Sequence, residues 1–269
     1  MRDTAPLLEV RGLGKRFTAR DGDGEARWAI RDLTFAVRAG ELLTIVGPSG
    51  SGKSTLLNLL AQIDAPTEGE IRILDERVGG GHTPAIARLR PGLGGRVGYV
   101  TQDDTLLPWR TLLENVLLPL RLQGRLTAST RARALRLVAA VGLEQFQRHY
   151  PHELSGGMRK RAALVRTLVY DPPIILMDEP FGALDAQTRT QLQTDLLRLW
   201  SEGGKTVVFV THDIAEAIAL GDRTLVFGRA PARVQAEYPI DLPRPRDVRG
   251  IYAVEGFAEL YACIRKELE

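Results

Sequence analysis

Residues 47–55 read Gly47-Pro48-Ser49-Gly50-Ser51-Gly52-Lys53-Ser54-Thr55, and they join an apolar run at 42–46 to a leucine-rich segment at 56–60. The nonapeptide fits the pattern G-x-x-x-x-G-K-[ST] at every position, in the strand, loop and helix order that this phosphate-binding motif requires. Because glycine has no Cβ, successive backbone N–H groups can turn toward one concavity at the helix start and hold phosphate oxygens. We therefore predict that Lys53 reaches the β- and γ-phosphates of a nucleotide and that the Ser54 hydroxyl ligates Mg²⁺.

Length and composition set broad limits on the fold. The chain has 269 residues, 44% of them hydrophobic, which suits one large domain or a domain with an insertion. Its net charge of +3 and pI near 9.2 are weak evidence for nucleic acid, anionic lipid or a phosphorylated ligand. The single cysteine, Cys263, excludes an internal disulfide and suits a reducing cytosol. Lacking a long apolar run and a signal-like start, the chain is expected neither to span a membrane nor to be exported.

The first part of the chain predicts a small antiparallel sheet. Residues 7–11 and 34–37 have strand character and are separated by a turn-rich segment. Phe17 is a candidate to stack on an adenine ring, since base–aromatic stacking contributes roughly 1–3 kcal/mol. Trp28 is the rival candidate, and Phe17 as an ordinary core aromatic is the remaining alternative.

The middle of the chain changes character twice. Residues 70–74 and 96–100 predict strands, and the glycine-rich segment 79–95 between them predicts an irregular surface excursion without an assigned function. From 106 to 143 the apolar residues recur at helical spacing, with arginines on the opposite face. A helical subdomain inserted between strands of the core is the prediction that follows.

Near-continuous apolar runs at 174–177, 206–210 and 224–227 predict buried parallel strands covered by helices. Polar residues follow them, and open α/β sheets bind ligands at the carboxyl ends of their strands. We predict that Asp178 holds Mg²⁺ and that Glu179 acts as general base on the attacking water. Gln102 and His212 also follow strands, where they could orient water and sense the γ-phosphate.

The segment Leu154-Ser155-Gly156-Gly157-Met158 opens another amphipathic helix. A serine and two glycines at a helix start form a second anion site at its positive dipole end. One nucleotide does not need two such sites from one chain.

With these motifs in order, the sequence resembles the nucleotide-binding subunit of an ATP-binding cassette (ABC) transporter over residues 7–240. The resemblance implies an α/β P-loop NTPase (RecA-like) core at 7–105 and 172–240, with a small antiparallel β subdomain, a helical subdomain at about 106–171 and a tail at 241–269. It implies ATP and Mg²⁺ as ligands and head-to-tail pairing of two such subunits, a homodimer being expected. The implied binding residues are Phe17, the loop from Gly47 to Thr55, Ser155, Gly156, Gly157 and Asp185; the catalytic residues are Glu179, His212 and Gln102; and the metal ligands are Ser54, Gln102 and Asp178. In this pattern Asp185 contacts the opposite subunit.

Finer matches around Trp109, Met158 and residues 177–185 are similar to importers of nitrate, sulfonates, taurine and related organic anions. This likeness implies integral membrane permease subunits, an external solute-binding protein indirectly, and a place at the cytoplasmic face of the cell membrane. Thr101 and Lys160 depart from the family pattern, which expects an aromatic and a glutamine there. The cluster 106–109 is expected to receive a cytoplasmic helix of the permease through Trp109, internal packing being the alternative.

Two other functions fit parts of the sequence. An ABC-type ATPase acting on nucleic acid or ribosomes has the same ATPase cassette. Such proteins usually carry a coiled-coil insertion or two cassettes in one chain, whereas this sequence has one cassette and no heptad run. The basic run Arg159-Lys160-Arg161 invites that interpretation, although a charge run of this kind is usually a solvated helix face. A monomeric P-loop kinase or GTPase leaves unexplained the helix that opens at residues 154–158, which we call the signature helix. We expect no nucleic-acid partner.

Overall fold

The structure is a computed structural model that describes residues 6–18, 26–74, 76–80, 95–182 and 184–269. The chain divides into two compact units, one of residues 1–89 and 204–269 and the other of residues 90–203. The strands are β1 (Pro6–Phe17), β2 (Arg27–Arg38), β3 (Leu42–Val46), β4 (Glu68–Ile73), β5 (Glu76–Gly80), β6 (Val97–Val100), β7 (Ile174–Asp178), β8 (Thr206–Thr211), β9 (Arg223–Phe227) and β10 (Val234–Pro239). The α-helices are α1 (Lys53–Leu60), α2 (Leu112–Leu122), α3 (Ala128–Ala140), α4 (Gly156–Leu168), α5 (Ala186–Gly203), α6 (Ile214–Leu220) and α7 (Phe257–Leu268).

The first unit contains the predicted small antiparallel sheet, with strand order β2-β1-β4-β5. In β1, Leu8, Val10 and Leu13 are fully buried, and Val10 lies opposite Phe35 of β2 and Ile71 of β4. The prediction of an irregular segment from residue 79 is wrong at its start, because Gly79 and Gly80 pair with β4 as the end of β5. The rest of that segment, residues 81–94, lies outside the described residues.

The other strands of the first unit run in the order β10-β9-β3-β8. Strands β9, β3 and β8 are parallel, and every residue of β3 and β8 is buried, as near-continuous apolar runs predict. Strand β10, which the sequence pattern did not predict, pairs antiparallel with β9. Its side chains alternate between partly buried and exposed positions, so it lacks the long apolar signal of the central strands.

The tail folds onto the first unit. Two of its arginines, Arg244 and Arg246, cap the carboxyl end of α6. Arg244 donates to the Leu220 carbonyl at 2.8 Å and to Asp222, and Arg246 donates to the carbonyls of Ile218 and Gly221. Cations at this end of a helix satisfy free carbonyl groups and favour its dipole.

The second unit contains the parallel pair β6 and β7 and the helices α2 to α5. Leu112, Val116 and Leu120 of α2 are fully buried and pack in one core with Ala134 and Val138 of α3. This confirms the helical period read from the sequence. Helix α2 begins with a capping box in which Thr111 and Glu114 exchange hydrogen bonds.

Trp109 lies outside this core, with 70% of its surface exposed. The alternative that it is internal packing is therefore wrong. Among the residues that the structure describes, no helix combines the length and the apolar character needed to cross a bilayer.

Candidate active site

The loop between β3 and α1 has the conformation that its glycines allow. Gly50 and Gly52 have φ values of 76° and 94°, in the left-handed region that favours glycine. A Cβ on Gly52 would lie 2.7 Å from the Ala29 carbonyl oxygen, and one on Gly47 would lie 3.0 Å from Phe227. These glycines therefore serve both the turn and a close backbone approach.

Two polar groups of this loop suit an anion. The Lys53 ammonium group is buried and donates to the carbonyl oxygens of Gly47 at 2.8 Å and Pro48 at 2.9 Å, so it lies against the loop itself. The Ser51 hydroxyl is buried and has no hydrogen-bond partner among the described residues. Helix α1 has no side-chain cap and no acidic residue in its first turn. An anion at this helix start would meet N–H donors and no carboxylate from the first turn of α1 itself.

His212 leaves the same edge of the sheet as the phosphate loop. Strands β3 and β8 are parallel with Val46 opposite Thr211, so Gly47 and His212 follow neighbouring strand ends. The imidazole is exposed. Asp213 fixes the turn after it by accepting hydrogen bonds from the N–H groups of Ala215 at 2.9 Å and Glu216 at 3.2 Å.

The two aromatic candidates of the first unit differ in exposure. Phe17 ends β1 with 46% of its surface exposed, and the Lys15 ammonium lies 5.0 Å from its ring centroid. Trp28 is partly buried, and the guanidinium groups of Arg16 and Arg31 lie 5.6 and 5.8 Å from its ring. Phe17 is thus the more accessible ring for stacking.

In the second unit, Gln102 and the acidic pair follow neighbouring strand ends. Strands β6 and β7 are parallel with Val100 opposite Met177, so residues 101–102 emerge beside Asp178 and Glu179. Glu179 has a φ of 42°, a left-handed conformation that costs a non-glycine residue roughly 1–2 kcal/mol. The turn that follows stabilises it, since Gly182 N–H donates to the Glu179 carbonyl at 3.2 Å.

Tyr99, which no sequence motif singled out, contacts Asp178. Its hydroxyl donates to Asp178 Oδ2 at 3.5 Å, and burial, followed by the Asp178 charge, raises the pKa of Tyr99. The phenol therefore stays protonated and can act as a donor to the carboxylate. Tyr99 lies one residue before the end of β6, and the alternation of side chains along a strand is the sequence signal that could have identified it.

The signature helix α4 presents its first residues to solvent. Ser155 is the N-cap and accepts a hydrogen bond from Met158 N–H at 3.3 Å, and both Ser155 and Gly156 are exposed. A Cβ on Gly157, by contrast, would lie 2.5 Å from Thr188 Cγ2 on α5. The two glycines therefore differ in their surroundings: Gly156 lies on an open face, whereas Gly157 allows α4 to pack closely against Thr188 of α5.

Asp185 is the N-terminal cap of α5. Its carboxylate accepts a hydrogen bond from Thr188 N–H at 3.0 Å, and this bond lowers the pKa of Asp185. The side chain thus has a structural role within its own chain, in addition to any contact with another subunit.

The basic run 159–161 is not a simple solvated face. Arg159 donates to Asp104 at 2.9 Å, Lys160 donates to the Gln102 carbonyl, and Arg161 lies 3.5 Å from Asp195. Each cation of the run is thus engaged within the chain, and the run gives no support to a nucleic-acid surface.

A glycine loop between a central parallel strand and a helix, together with a second Ser-Gly-Gly helix start, defines a nucleotide-binding ATPase cassette. The chain belongs to the ABC transporter family, whose model matches residues 30–182. It has the P-loop NTPase fold and is an ATP-binding subunit that hydrolyses ATP for transport. These findings confirm the family and the fold class expected from the sequence.

Relatives and solved structures agree with this assignment. The chain is 41% identical to an uncharacterised ABC transporter ATP-binding protein of Methanocaldococcus jannaschii, over 97% of this chain and 92% of that protein. It is 42% identical to a taurine import ATP-binding protein of Pseudomonas aeruginosa, over 82% of this chain and 80% of that protein. It also matches a dimeric ATP-binding cassette bound to ADP and Pi, with a TM-score of 0.73, 35% identity, and coverage of 87% of this chain and 98% of that one.

Proposed function

We propose that this ATPase subunit energises the import of a small solute, namely nitrate or an organic anion of the sulfonate or taurine type. The observation that carries the proposal is the identity of 37–42% to proteins named taurine import ATP-binding proteins from several organisms. The match spans 77% or more of each such relative, so it includes the regions outside the nucleotide motifs. No observation favours the alternative of an ATPase acting on nucleic acid.

We propose the following division of the chain. The ATPase domain spans residues 7–240, with its core at 7–105 and 172–240 and its helical subdomain at about 106–171, and the tail spans 241–269. The shared buried core of α2, α3 and α4 supports the helical subdomain.

The phosphate loop is proposed to bind the triphosphate. Its N–H groups and Lys53 hold the β- and γ-phosphate oxygens, and Lys53 gives up the Gly47 and Pro48 carbonyls to do so. Binding then replaces two neutral acceptors by charged ones, which form the stronger hydrogen bonds. Phe17 stacks on the adenine, and its exposed ring supports this role.

Oxygen groups of the chain suit a magnesium ion. The exposed Ser54 hydroxyl at the start of α1, the Asp178 carboxylate and the Gln102 amide oxygen are ligands of the kind that Mg²⁺ prefers. The ion would neutralise charge on the β- and γ-phosphates. Tyr99 donates to one Asp178 oxygen and so orients the carboxylate.

Hydrolysis is assigned to Glu179 and His212. The Glu179 carboxylate takes a proton from the attacking water as the water oxygen bonds to the γ-phosphorus and the bond to the bridging oxygen of ADP breaks. His212 donates a hydrogen bond to a γ-phosphate oxygen, and this bond distinguishes bound ATP from ADP. Gln102 orients the water from the loop after β6.

A second subunit is proposed to complete each site. Ser155 and Gly156 are exposed at the start of a 13-residue helix, where N–H groups and the helix dipole favour a phosphate. The solved dimers of similar cassettes support this pairing. ATP then holds two subunits together, and hydrolysis releases them.

The loop before α2 is proposed to receive a cytoplasmic helix of a membrane permease. The Asn115 side chain, fully buried, accepts from Leu107 N–H at 2.7 Å and donates to the carbonyls of Leu107, Arg110 and Thr111 at 3.0–3.1 Å. One side chain thus fixes the loop that carries the exposed Trp109. A rigidly held aromatic with little neighbouring cover suits a docking site.

These partners imply a place at the cytoplasmic face of the cell membrane, held there by permease subunits, with an external solute-binding protein acting indirectly. To test the import, the subunit is co-expressed with the membrane and binding proteins encoded beside it and reconstituted in vesicles. We expect ATP-dependent uptake of radiolabelled taurine or a related sulfonate, and none with Lys53→Ala, which weakens ATP binding. Uptake of none of these anions by an otherwise ATP-hydrolysing complex would contradict the substrate class. Co-purification with DNA or RNA and not with membrane subunits would favour the alternative.

A further inference from the structure

The loop of residues 102–105, which carries Gln102, has an unusual set of hydrogen bonds. Each of its backbone carbonyls accepts from a side chain: Gln102 from Lys160, Asp103 from Thr101 at 2.7 Å, Asp104 from Arg166 at 3.0 Å and Thr105 from Arg166 at 2.8 Å. The Asp104 carboxylate adds an ion pair with Arg159 at 2.9 Å. Side chains of α4 therefore hold most of a loop that lacks regular structure.

The donors Arg159, Lys160 and Arg166 belong to the helix whose first turn carries the signature residues Ser155 and Gly156. The loop that precedes the helical segment is thus tied to the helix that follows it. The ties are charge-assisted, and such bonds are about twice as strong as neutral ones.

Lys160 differs from its neighbours in what it holds. Arg166 and Arg159 secure Asp104 and Thr105, whereas the Lys160 bond falls on the carbonyl of Gln102 itself. Burial lowers the pKa of Lys160, and the carboxylates of Asp104 and Asp103 oppose that effect. The Gln102 side chain is exposed, so its backbone is what fixes its direction.

We infer that Lys160 is a positioning residue, which holds the backbone of Gln102 to the signature helix and so keeps the Gln102 amide aimed for hydrolysis. The inference rests on the proposed role of Gln102. It concerns a residue that the nucleotide motifs leave unassigned. Because Arg159 and Arg166 keep the rest of the loop in place, loss of Lys160 should loosen Gln102 selectively and leave the fold intact.

The test uses the full chain with a spin label near Gln102. Cys263 is the single cysteine and is exposed, so Cys263→Ser with Asp103→Cys gives one labelling site in the loop. In this background Lys160→Met removes the ammonium group at similar side-chain length. Arg161→Met is the matched control, since Arg161 is the next residue of α4 but pairs with Asp195 of α5.

We expect Lys160→Met to raise the label mobility and to lower kcat for ATP about ten- to a hundredfold, the factor for loss of one hydrogen bond to a charged group. The KM for ATP should stay within about twofold, because the phosphate loop is unchanged. Lys160→Arg, which keeps a donor of similar reach, should restore both properties, and Arg161→Met should leave label mobility unchanged.

Unchanged label mobility in Lys160→Met would overturn the inference. Raised mobility with unchanged kcat, while Gln102→Ala lowers kcat, would overturn the positioning role and leave the proposed role of Gln102 standing. If Gln102→Ala itself leaves kcat unchanged, the proposed role of Gln102 fails. The spin label then still decides whether Lys160 holds the loop.

Discussion

The two glycines of the signature helix offer a paired test of structure against function. Gly156 and Gly157 are adjacent at the start of α4, and each is changed to alanine in turn. A Cβ on Gly157 would lie 2.5 Å from Thr188 Cγ2, whereas the nearest atom to a Cβ on Gly156 is Arg159 Nη2 at 4.0 Å. The same substitution therefore meets a packed helix at one position and open space at the next.

The magnitude follows from two opposing terms. Overpacking of a well-packed contact costs about 1–3 kcal/mol, and alanine is favoured over glycine within a helix by about 0.5–1 kcal/mol. Gly157→Ala should therefore lower the free energy of unfolding by about 1–2 kcal/mol. Gly156→Ala should leave it unchanged or raise it by up to about 1 kcal/mol.

Thermal unfolding of the nucleotide-free chain measures this difference. At roughly 2–4 °C per kcal/mol for a chain of this size, Gly157→Ala should melt about 2–8 °C below the parent. Thr188→Ser removes Cγ2 and should recover most of that loss when combined with Gly157→Ala. Because Gly156 is proposed to meet the partner's nucleotide, Gly156→Ala should lower ATPase activity although its fold is intact.

A Gly157→Ala protein as stable as Gly156→Ala would refute the packing argument. Failure of Thr188→Ser to restore stability would place the cost elsewhere than in the α4–α5 contact. Full ATPase activity in Gly156→Ala would separately contradict the proposed role of the signature end.

Three further outcomes can be measured. Glu179→Gln should lower kcat by about 10²–10⁴-fold, the usual contribution of a general base. ATP binding should persist, and a dimer should accumulate on size-exclusion chromatography. Hydrolysis at the parent rate, or a chain that stays monomeric with ATP at every concentration, would contradict the proposal. Trp109→Ala should change the free energy of unfolding by less than about 0.5 kcal/mol, since the side chain is 70% exposed. It should nevertheless reduce co-purification with the permease. Unchanged assembly and transport would count against docking at Trp109. The hydrogen bond from Thr111 N–H lowers the pKa of Glu114 below its usual value of 4.5, so this carboxylate stabilises the fold above that pH and the stabilisation is lost as the pH falls through the lowered pKa. In acid titrations, Glu114→Gln should therefore lose less free energy of unfolding with falling pH than the parent does. Identical curves would refute this.

Local patterns carried much of the fold. The phosphate loop, the apolar strand runs and the helical period at 112, 116 and 120 are properties of short segments, and each names its element without knowledge of its neighbours. Strand β10 was missed because an edge strand has no continuous apolar run, and the cap that Arg244 and Arg246 form depends on α6, which is distant in sequence. The assignment of a long irregular segment from residue 79 was wrong for Gly79 and Gly80 because pairing with β4 outweighs glycine's weak strand preference.

The sequence by itself determined the family and the residue types of its motifs: a glycine-rich loop before a helix, an acidic pair after a strand, and a Ser-Gly-Gly helix start. Such motifs are contiguous, so the covalent chain alone sets their residue types and spacing. Only the tertiary structure decided that Trp109 faces solvent, that Gly157 rather than Gly156 meets Thr188, and that Lys160 bonds the Gln102 carbonyl. The Gly157 and Lys160 contacts join segments that are tens of residues apart in the sequence, and the exposure of Trp109 depends on how such segments pack. Local sequence patterns do not predict contacts of this range.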